Sequence, residues 1–317
     1  MIKGLYSDCD GGPASMIVTE GLTKRYGDVR ALIDVSLEVR KGEVYGLLGP
    51  NGSGKTTTIR LLLGLLHPTA GRASVAGLDC WRQSLDVRRI VSYLPGELRM
   101  FGWMTGYAML RFLSSLRGGI GLDRAVAIAE RVMRLDLDRK VRTYSTGMKQ
   151  KLALAQAFAD PVEILILDEP TSALDPSARA LVIGLVREAR DQGQTVIFSG
   201  HVLAEVEQVA DRVAIMRRGR LVHVEDMHAR RLNLRLLLLR FDGEAPIRFP
   251  EELELTERER NGQVLLLEHR GAVAPLLRWL TEQRVVDLAV GTDDLNSLYD
   301  RYHGPNVKDD DGEGDWS

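Results

Sequence analysis

Cysteine is scarce in this chain: Cys9 and Cys80 are the two thiols in 317 residues. Two thiols, one of them in a loose N-terminal stretch, make no disulfide framework, and the expected setting is the reducing cytoplasm. Long apolar runs are missing too. No stretch approaches the roughly 18 residues of a membrane-spanning helix, so any transmembrane work falls to another chain. Positive charge is not in excess. There are 42 Lys and Arg against 44 Asp and Glu, a net charge of −2. The chain as a whole lacks the basic footprint of a nucleic-acid binder, and no nucleic-acid partner is expected. Residues 1–15 have no continuous apolar core, which argues against a signal peptide. No internal repeat is visible.

What is present begins with one stretch, Gly49-Pro50-Asn51-Gly52-Ser53-Gly54-Lys55-Thr56-Thr57. It fits G-x-x-x-x-G-K-[ST]. A short apolar run, Val44 to Leu48, precedes it and reads as a buried strand. A Leu-rich segment from Thr57 to Leu66 follows and reads as a helix. Strand, glycine loop and helix N-terminus together make a cradle for polyphosphate. Lys55 supplies a fixed positive charge for the outer phosphates, and the Thr56 hydroxyl can ligate Mg²⁺.

A second apolar run, Ile164 to Leu167, has the character of a central parallel strand. It ends in Asp168-Glu169-Pro170. Carboxylates at the end of a buried strand are costly unless something compensates them. Beside a Mg²⁺-nucleotide, Asp168 can help hold the metal and Glu169 can orient or deprotonate water. A third run, Thr195 to Phe198, ends at Ser199-Gly200-His201. That places His201 at the carboxyl end of its strand, where open α/β sheets bind ligands. Tyr26 is the freer of the two rings between residue 15 and the loop, and beside a phosphate loop it is read as stacking on adenine. Ser145, Thr146 and Gly147 open an Ala/Leu-rich helix. By themselves they are either an ordinary N-cap or a set of donors for an anion. Residues 95–104 are loop-like yet carry Met100, Phe101, Trp103 and Met104. They are either a docking surface or the small core of the helices that follow, over 106–133.

The order of these pieces resembles the ATP-binding subunit of an ABC transporter, over about residues 17–224. Residues 49–57 look like its Walker A motif, and residues 164–169 like Walker B with the catalytic glutamate. Residues 172–175, ending in Asp175, resemble the D-loop, and His201 the switch histidine. Residues 144–148 resemble the signature motif, and Tyr26 the adenine-stacking aromatic. The wording of residues 144–151, and of 294–299 after a C-terminal appendage, is similar to the exporter branch that includes drug and antibiotic efflux ATPases. Two departures stand out. The signature reads Tyr-Ser-Thr-Gly-Met instead of Leu-Ser-Gly-Gly-Gln. The glutamine expected after Leu94 is replaced by Pro95-Gly96-Glu97, which leaves Glu97 as the nearest side-chain oxygen for Mg²⁺ or its water shell, or else as a solvent-facing carboxylate.

The resemblance implies an α/β fold, a P-loop NTPase cassette with a mostly parallel sheet core, an antiparallel β part and a helical subdomain. It implies ATP and Mg²⁺ as ligands and integral membrane permease subunits as partners. It also implies a homodimer, or a paired ATPase, in which Ser145, Thr146 and Gly147 of one copy reach the ATP of the other. The location implied is peripheral, at the cytoplasmic face of the membrane. The rival is a soluble ABC ATPase acting on nucleic acid or ribosomes. It fits less well, because there is one cassette and the stretch from Lys55 to Ser145 is too short for a long coiled coil. Composition divides the chain into an extension over 1–15, a cassette over 16–226, an α+β appendage over 227–304 and an acidic disordered tail over 305–317. In the appendage, residues 252–257 are read as a strand and 293–302 as a last helix.

Overall fold

A computed structural model describes residues 14–229, 235–243 and 249–291. Residues 1–13 of the N-terminal extension, Cys9 among them, the expected last helix over 293–302 and the acidic tail lie outside the described residues, while Ser15 already belongs to the first strand. The chain divides into two compact units, the first ending at Val224 and the second beginning at Glu225.

The first unit is built on a six-stranded sheet whose order follows from burial. Strands β3 (Val44–Leu48), β7 (Ile164–Asp168) and β8 (Thr195–Gly200) are buried at every position. Strands apolar on both faces belong inside a parallel sheet covered on both sides. β3 accordingly pairs in parallel with β8 and with β9 (Arg212–Arg217), and β7 pairs in parallel with β8 and with β6 (Val91–Leu94). With β10 (Arg220–Asp226) on one edge, the order is β10-β9-β3-β8-β7-β6. The turn from β9 to β10 is Arg218-Gly219, both at positive φ (47° and 75°), the backbone a two-residue hairpin needs.

A second, antiparallel sheet joins β1 (Ser15–Tyr26) and β2 (Val29–Arg40) to β4 (Ala70–Val75) and the short β5 (Leu78–Asp79). The first two strands run 12 residues each. Register shifts within β1, around Gly21, carry the ladder past polar positions that break the alternation. One core holds both sheets together. Ile17, Leu22, Leu32 and Val39 pack with Tyr45, Leu47, Ile59, Leu62, Ile166 and Ile197.

Helices flank these sheets: α1 (Lys55–Leu62), α2 (Ser84–Ile90), α3 (Gly106–Ser115), α4 (Leu122–Ala127), α5 (Thr146–Ala159), α6 (Pro176–Asp191) and α7 (Leu203–Val209). Their starts are written in the sequence. Thr105, Ser145 and Asp175 each accept a backbone N–H three residues on, and Pro176 sits in the first turn of α6. α4 runs on into a π-helical turn over Ile128–Val132.

The second unit is an antiparallel sheet ordered β12-β13-β11-β14, from Leu255–Asn261, Val264–His269, Arg235–Phe241 and Val285–Gly291. Helix α8 (Val273–Glu282) covers one face through Leu276 and Leu280 against Leu237, Leu239, Leu265 and Leu267. The strand expected over 252–257 is displaced. Glu251–Leu253 form a 3₁₀ turn after Pro250, Glu254 takes φ 45°, and the strand begins at Leu255.

Candidate functional site

β3 delivers the chain to the glycine loop at the carboxyl edge of the parallel sheet. Gly49 has no room for a side chain. A Cβ there would lie 2.4 Å from the Met216 carbonyl oxygen and 2.6 Å from Ser53 Oγ. The loop closes through Ser53 N–H to Pro50 O (3.1 Å) and is tied to the β9–β10 turn by Gly219 N–H to Ser53 O (3.0 Å). Gly54, at φ 107°, then turns the chain into α1. The N–H groups of that first helical turn have no partner within the helix. Ser53 Oγ is buried and accepts or donates no hydrogen bond within the protein, an orphaned polar atom inside the cradle. Cradle geometry and orphaned oxygen both suit a polyphosphate.

Lys55 is buried, and its Nζ donates to Gly49 O (2.7 Å) and Pro50 O (3.2 Å). The same ammonium lies 3.5 Å from Glu169 Oε1. On the other side of that carboxylate, Oε2 is 3.5 Å from His201 Nδ1. Glu169 therefore sits between a cation and an imidazole, with its side chain 24% exposed. Thr56 Oγ1 donates to Asp168 Oδ2 (2.9 Å). Burial, and next the Asp168 carboxylate, push the Tyr93 phenol of β6 up to about 12, so it stays a neutral group beside that acid.

The sequence did not single out Ser199, yet it joins these parts. Its Oγ donates to Asp168 Oδ1 (2.6 Å) and accepts from Glu169 N–H (3.0 Å). Asp168 and Ser199 are register partners on adjacent strands, so two apolar runs each ending in a polar residue were the available signal. Glu169 itself has φ 50°, a left-handed conformation unusual for a residue with a Cβ. Gln150 is a second residue of this kind. It is a buried amide in α5 whose Nε2 donates to Pro170 O (3.0 Å), fixing the turn after Glu169.

Other expected residues fall around this centre. Tyr26 ends β1 with its ring half exposed and Lys24 Nζ 5.1 Å from the centroid. The paired strand β2 reaches Gly54, whose Cβ position is 3.2 Å from Ala31 O. Ser145 Oγ accepts from Met148 N–H (3.2 Å). Gly147 packs on the turn over 169–175: a Cβ there would lie 2.8 Å from Ala173 O. Asp175 caps α6, and the hydrogen bonds from Ser177 and Ala178 hold its carboxyl below the usual range. In the loop over 95–104, Gly96 lies against Asp168, its Cβ position 3.5 Å from Oδ2, while Glu97 is exposed. Phe101 stacks edge-on against Phe112 of α3 at 5.6 Å, and Trp103 is 69% exposed. Met109, Leu110, Leu137 and Val141, in and beside these helices, are buried.

No cluster of three or more His, Cys, Asp or Glu among the described residues could hold a metal alone. Mg²⁺ requires none, because it takes one or two protein oxygens together with phosphate and water. Thr56 Oγ1 and Asp168 Oδ2, 2.9 Å apart at the loop, are two such hard oxygens and fit that ion. The arrangement can thus hold a phosphate chain and place a carboxylate beside its end. No helix among the described residues is long and apolar enough to cross a membrane.

Known proteins resemble about two thirds of this chain. The ABC transporter family profile matches residues 32–172. An uncharacterized ABC transporter ATP-binding protein of Bacillus subtilis, YxlF, is 41% identical over 208 residues, 64% of this chain and 68% of its own. The bacitracin transport ATP-binding protein BcrA of Enterococcus faecalis is 36% identical over 68% of this chain and 71% of its own. The daunorubicin/doxorubicin resistance ATP-binding protein DrrA of Streptomyces peucetius is 38% identical over 66% of this chain and 65% of its own. A solved ATP-binding subunit of an ABC transporter superimposes with a TM-score of 0.62 at 29% identity, covering 68% of this chain and 92% of that one. A dimeric bacterial ABC transporter cassette gives the same score of 0.62 at 22% identity, covering 67% and 99%, a likeness of fold.

Proposed function

The chain belongs to the ABC transporter ATP-binding family, and we propose that this ATPase powers export through separate integral membrane permease subunits, docked at the cytoplasmic face of the membrane. The substrate class is a drug, antibiotic or lipid-like molecule, a reading supported by the resistance and transport relatives. The single observation that carries the catalytic part is the Glu169 carboxylate, 3.5 Å from both Lys55 Nζ and His201 Nδ1.

On this reading the loop residues Gly49, Pro50, Asn51, Gly52, Ser53, Gly54, Lys55, Thr56 and Thr57 wrap the phosphates, and Tyr26 stacks on adenine. Lys55 neutralises the outer phosphates. Thr56 and Asp168 hold Mg²⁺, with Glu97 as a further oxygen toward its water shell; when bound, the ion neutralises charge on the phosphate oxygens. Glu169 orients and deprotonates the attacking water, and His201 steadies that carboxylate and the terminal phosphate. Two copies enclose two ATP molecules, each site taking Ser145, Thr146 and Gly147 from the second copy, with Asp175 at the seam. The exposed Phe101 and Trp103 offer the permease an apolar foothold. Residues 227–304 form an accessory domain that steadies or regulates the pair.

The test is purification of the full chain from its native membrane, followed by ATP-driven uptake of daunorubicin or bacitracin into inverted vesicles. The expected result is a co-purifying permease and uptake that Lys55→Ala abolishes. A chain recovered without any membrane protein, or uptake indifferent to Lys55→Ala, contradicts the proposal.

A further inference from the structure

His201 begins the segment that leads into α7, and Glu205 lies in the first turn of that helix. Glu205 is buried, although its charge would be better solvated outside. A place near a helix N-terminus explains an acid there, but an exposed one would serve equally well. This carboxylate instead turns inward onto the segment that follows Glu169. Its Oε2 accepts a hydrogen bond from Thr171 Oγ1. Its Oε1 pairs with Arg179 Nη1 at 3.0 Å. Arg179 Nε in turn donates to Leu174 O at 2.9 Å. One carboxylate therefore grips the turn over 169–175 at two places, directly at Thr171 and through Arg179 at Leu174.

That turn is under backbone tension. Glu169 and Ala173 have φ of 50° and 61°, left-handed values that persist in non-glycine residues only when the surroundings over-determine them. It carries Glu169 at its start and Asp175 at its end, and Ala173 O supports Gly147. We infer that Glu205, with Thr171 and Arg179, is a positioning unit that locks the Glu169–Asp175 turn to the His201 segment. The inference rests on Glu169 being the residue that acts on water. Misplacement of a reacting group by about 1 Å costs up to about 10²-fold in rate, so a brace of this kind sets turnover more than binding.

The experiment is steady-state ATP hydrolysis by the full chain, with binding of a fluorescent ATP analogue and the thermal midpoint measured on the same samples. Thr171→Val removes the hydroxyl at nearly constant volume. It is expected to lower kcat about tenfold while KM and analogue affinity stay within about twofold, and Thr171→Ser is expected to restore the rate. Glu205→Gln keeps the shape and loses the charge. It weakens both the Thr171 and the Arg179 contacts, so it is expected to slow turnover at least as much, and adding Thr171→Val to it should cost less than Thr171→Val costs alone, because the two share the Thr171–Glu205 contact. Unchanged kcat in Thr171→Val and Glu205→Gln, in a chain that Glu169→Gln inactivates, overturns the brace alone. Affinity, midpoint and rate falling together without rescue by Thr171→Ser also overturns it, since that is a folding role. A chain whose rate survives Glu169→Gln removes the catalytic reading and this inference with it.

Discussion

Replacing Ser199 by alanine removes one oxygen from a wholly buried position and breaks two hydrogen bonds at once. The first runs from Ser199 Oγ to the Asp168 carboxylate (2.6 Å), the second from Glu169 N–H to Ser199 Oγ (3.0 Å). A hydrogen bond to a charged group contributes about 1.5–3 kcal/mol, and a buried N–H left unpaired costs about 1–3 kcal/mol. Because the two bonds share one oxygen, they do not add in full, and the expected loss of stability is about 2–4 kcal/mol. Asp168 keeps its bond from Thr56, so the phosphate loop stays attached to the sheet. Glu169 loses the tie that helps hold its left-handed backbone. Turnover should therefore fall by about tenfold or more, and nucleotide affinity should fall less. Urea unfolding followed by far-UV circular dichroism gives the first quantity, and steady-state hydrolysis gives the second. A stability within about 0.5 kcal/mol of wild type, the ordinary range for an inert surface change, together with an unchanged rate, would refute the role of this serine.

Three further predictions concern separate parts of the chain. Ending the chain before Met227 should leave nucleotide affinity unchanged, measured by fluorescent ATP binding; a folded, truncated cassette that no longer binds would show that the second unit helps build the site. Glu97→Ala should raise the Mg²⁺ concentration needed for half-maximal hydrolysis, whereas Trp103→Ala should spare basal hydrolysis and lose stimulation by the permease; a wild-type Mg²⁺ dependence in Glu97→Ala removes the metal role. Burial, with a smaller push from Asp79, raises the Cys80 thiol to about 12, so thiolate is rare at mildly alkaline pH. With Cys9 changed to Ser, Cys80 should resist iodoacetamide in the native protein and react in guanidinium; rapid native alkylation would mean that this core opens readily.

The centre of the site was legible because its chemistry is local in sequence. Gly49 to Thr57, Asp168-Glu169 and His201 each stand at the end of an apolar run, and parallel pairing brings such ends to one edge. The helix start at Ser145 was equally readable, since a cap is a contact of three residues' span. What could not be read depends on register and approach. Ser199 matters because β8 aligns it with Asp168. Gln150 and Glu205 matter because helices distant in sequence press them onto the turn after Glu169. Gly147 reads as a helix-start residue, yet its lack of a side chain is used against Ala173 O. The displaced strand near Leu255 has the same origin: residues 252–257 carry strand-like alternation, but Pro250 and a left-handed Glu254 reset the phase.

Glu169→Gln is the variant that bears most directly on whether Glu169 drives hydrolysis within an ATP-bound pair of these chains. ATP affinity, turnover and molecular mass by light scattering can be measured on one preparation in the presence of Mg²⁺ and ATP. The expected result is retained ATP binding, a loss of turnover of about 10²-fold or more, the scale of losing a general base, and a stable dimer holding ATP. Near-normal hydrolysis by a Glu169→Gln chain that remains monomeric with ATP bound would contradict it.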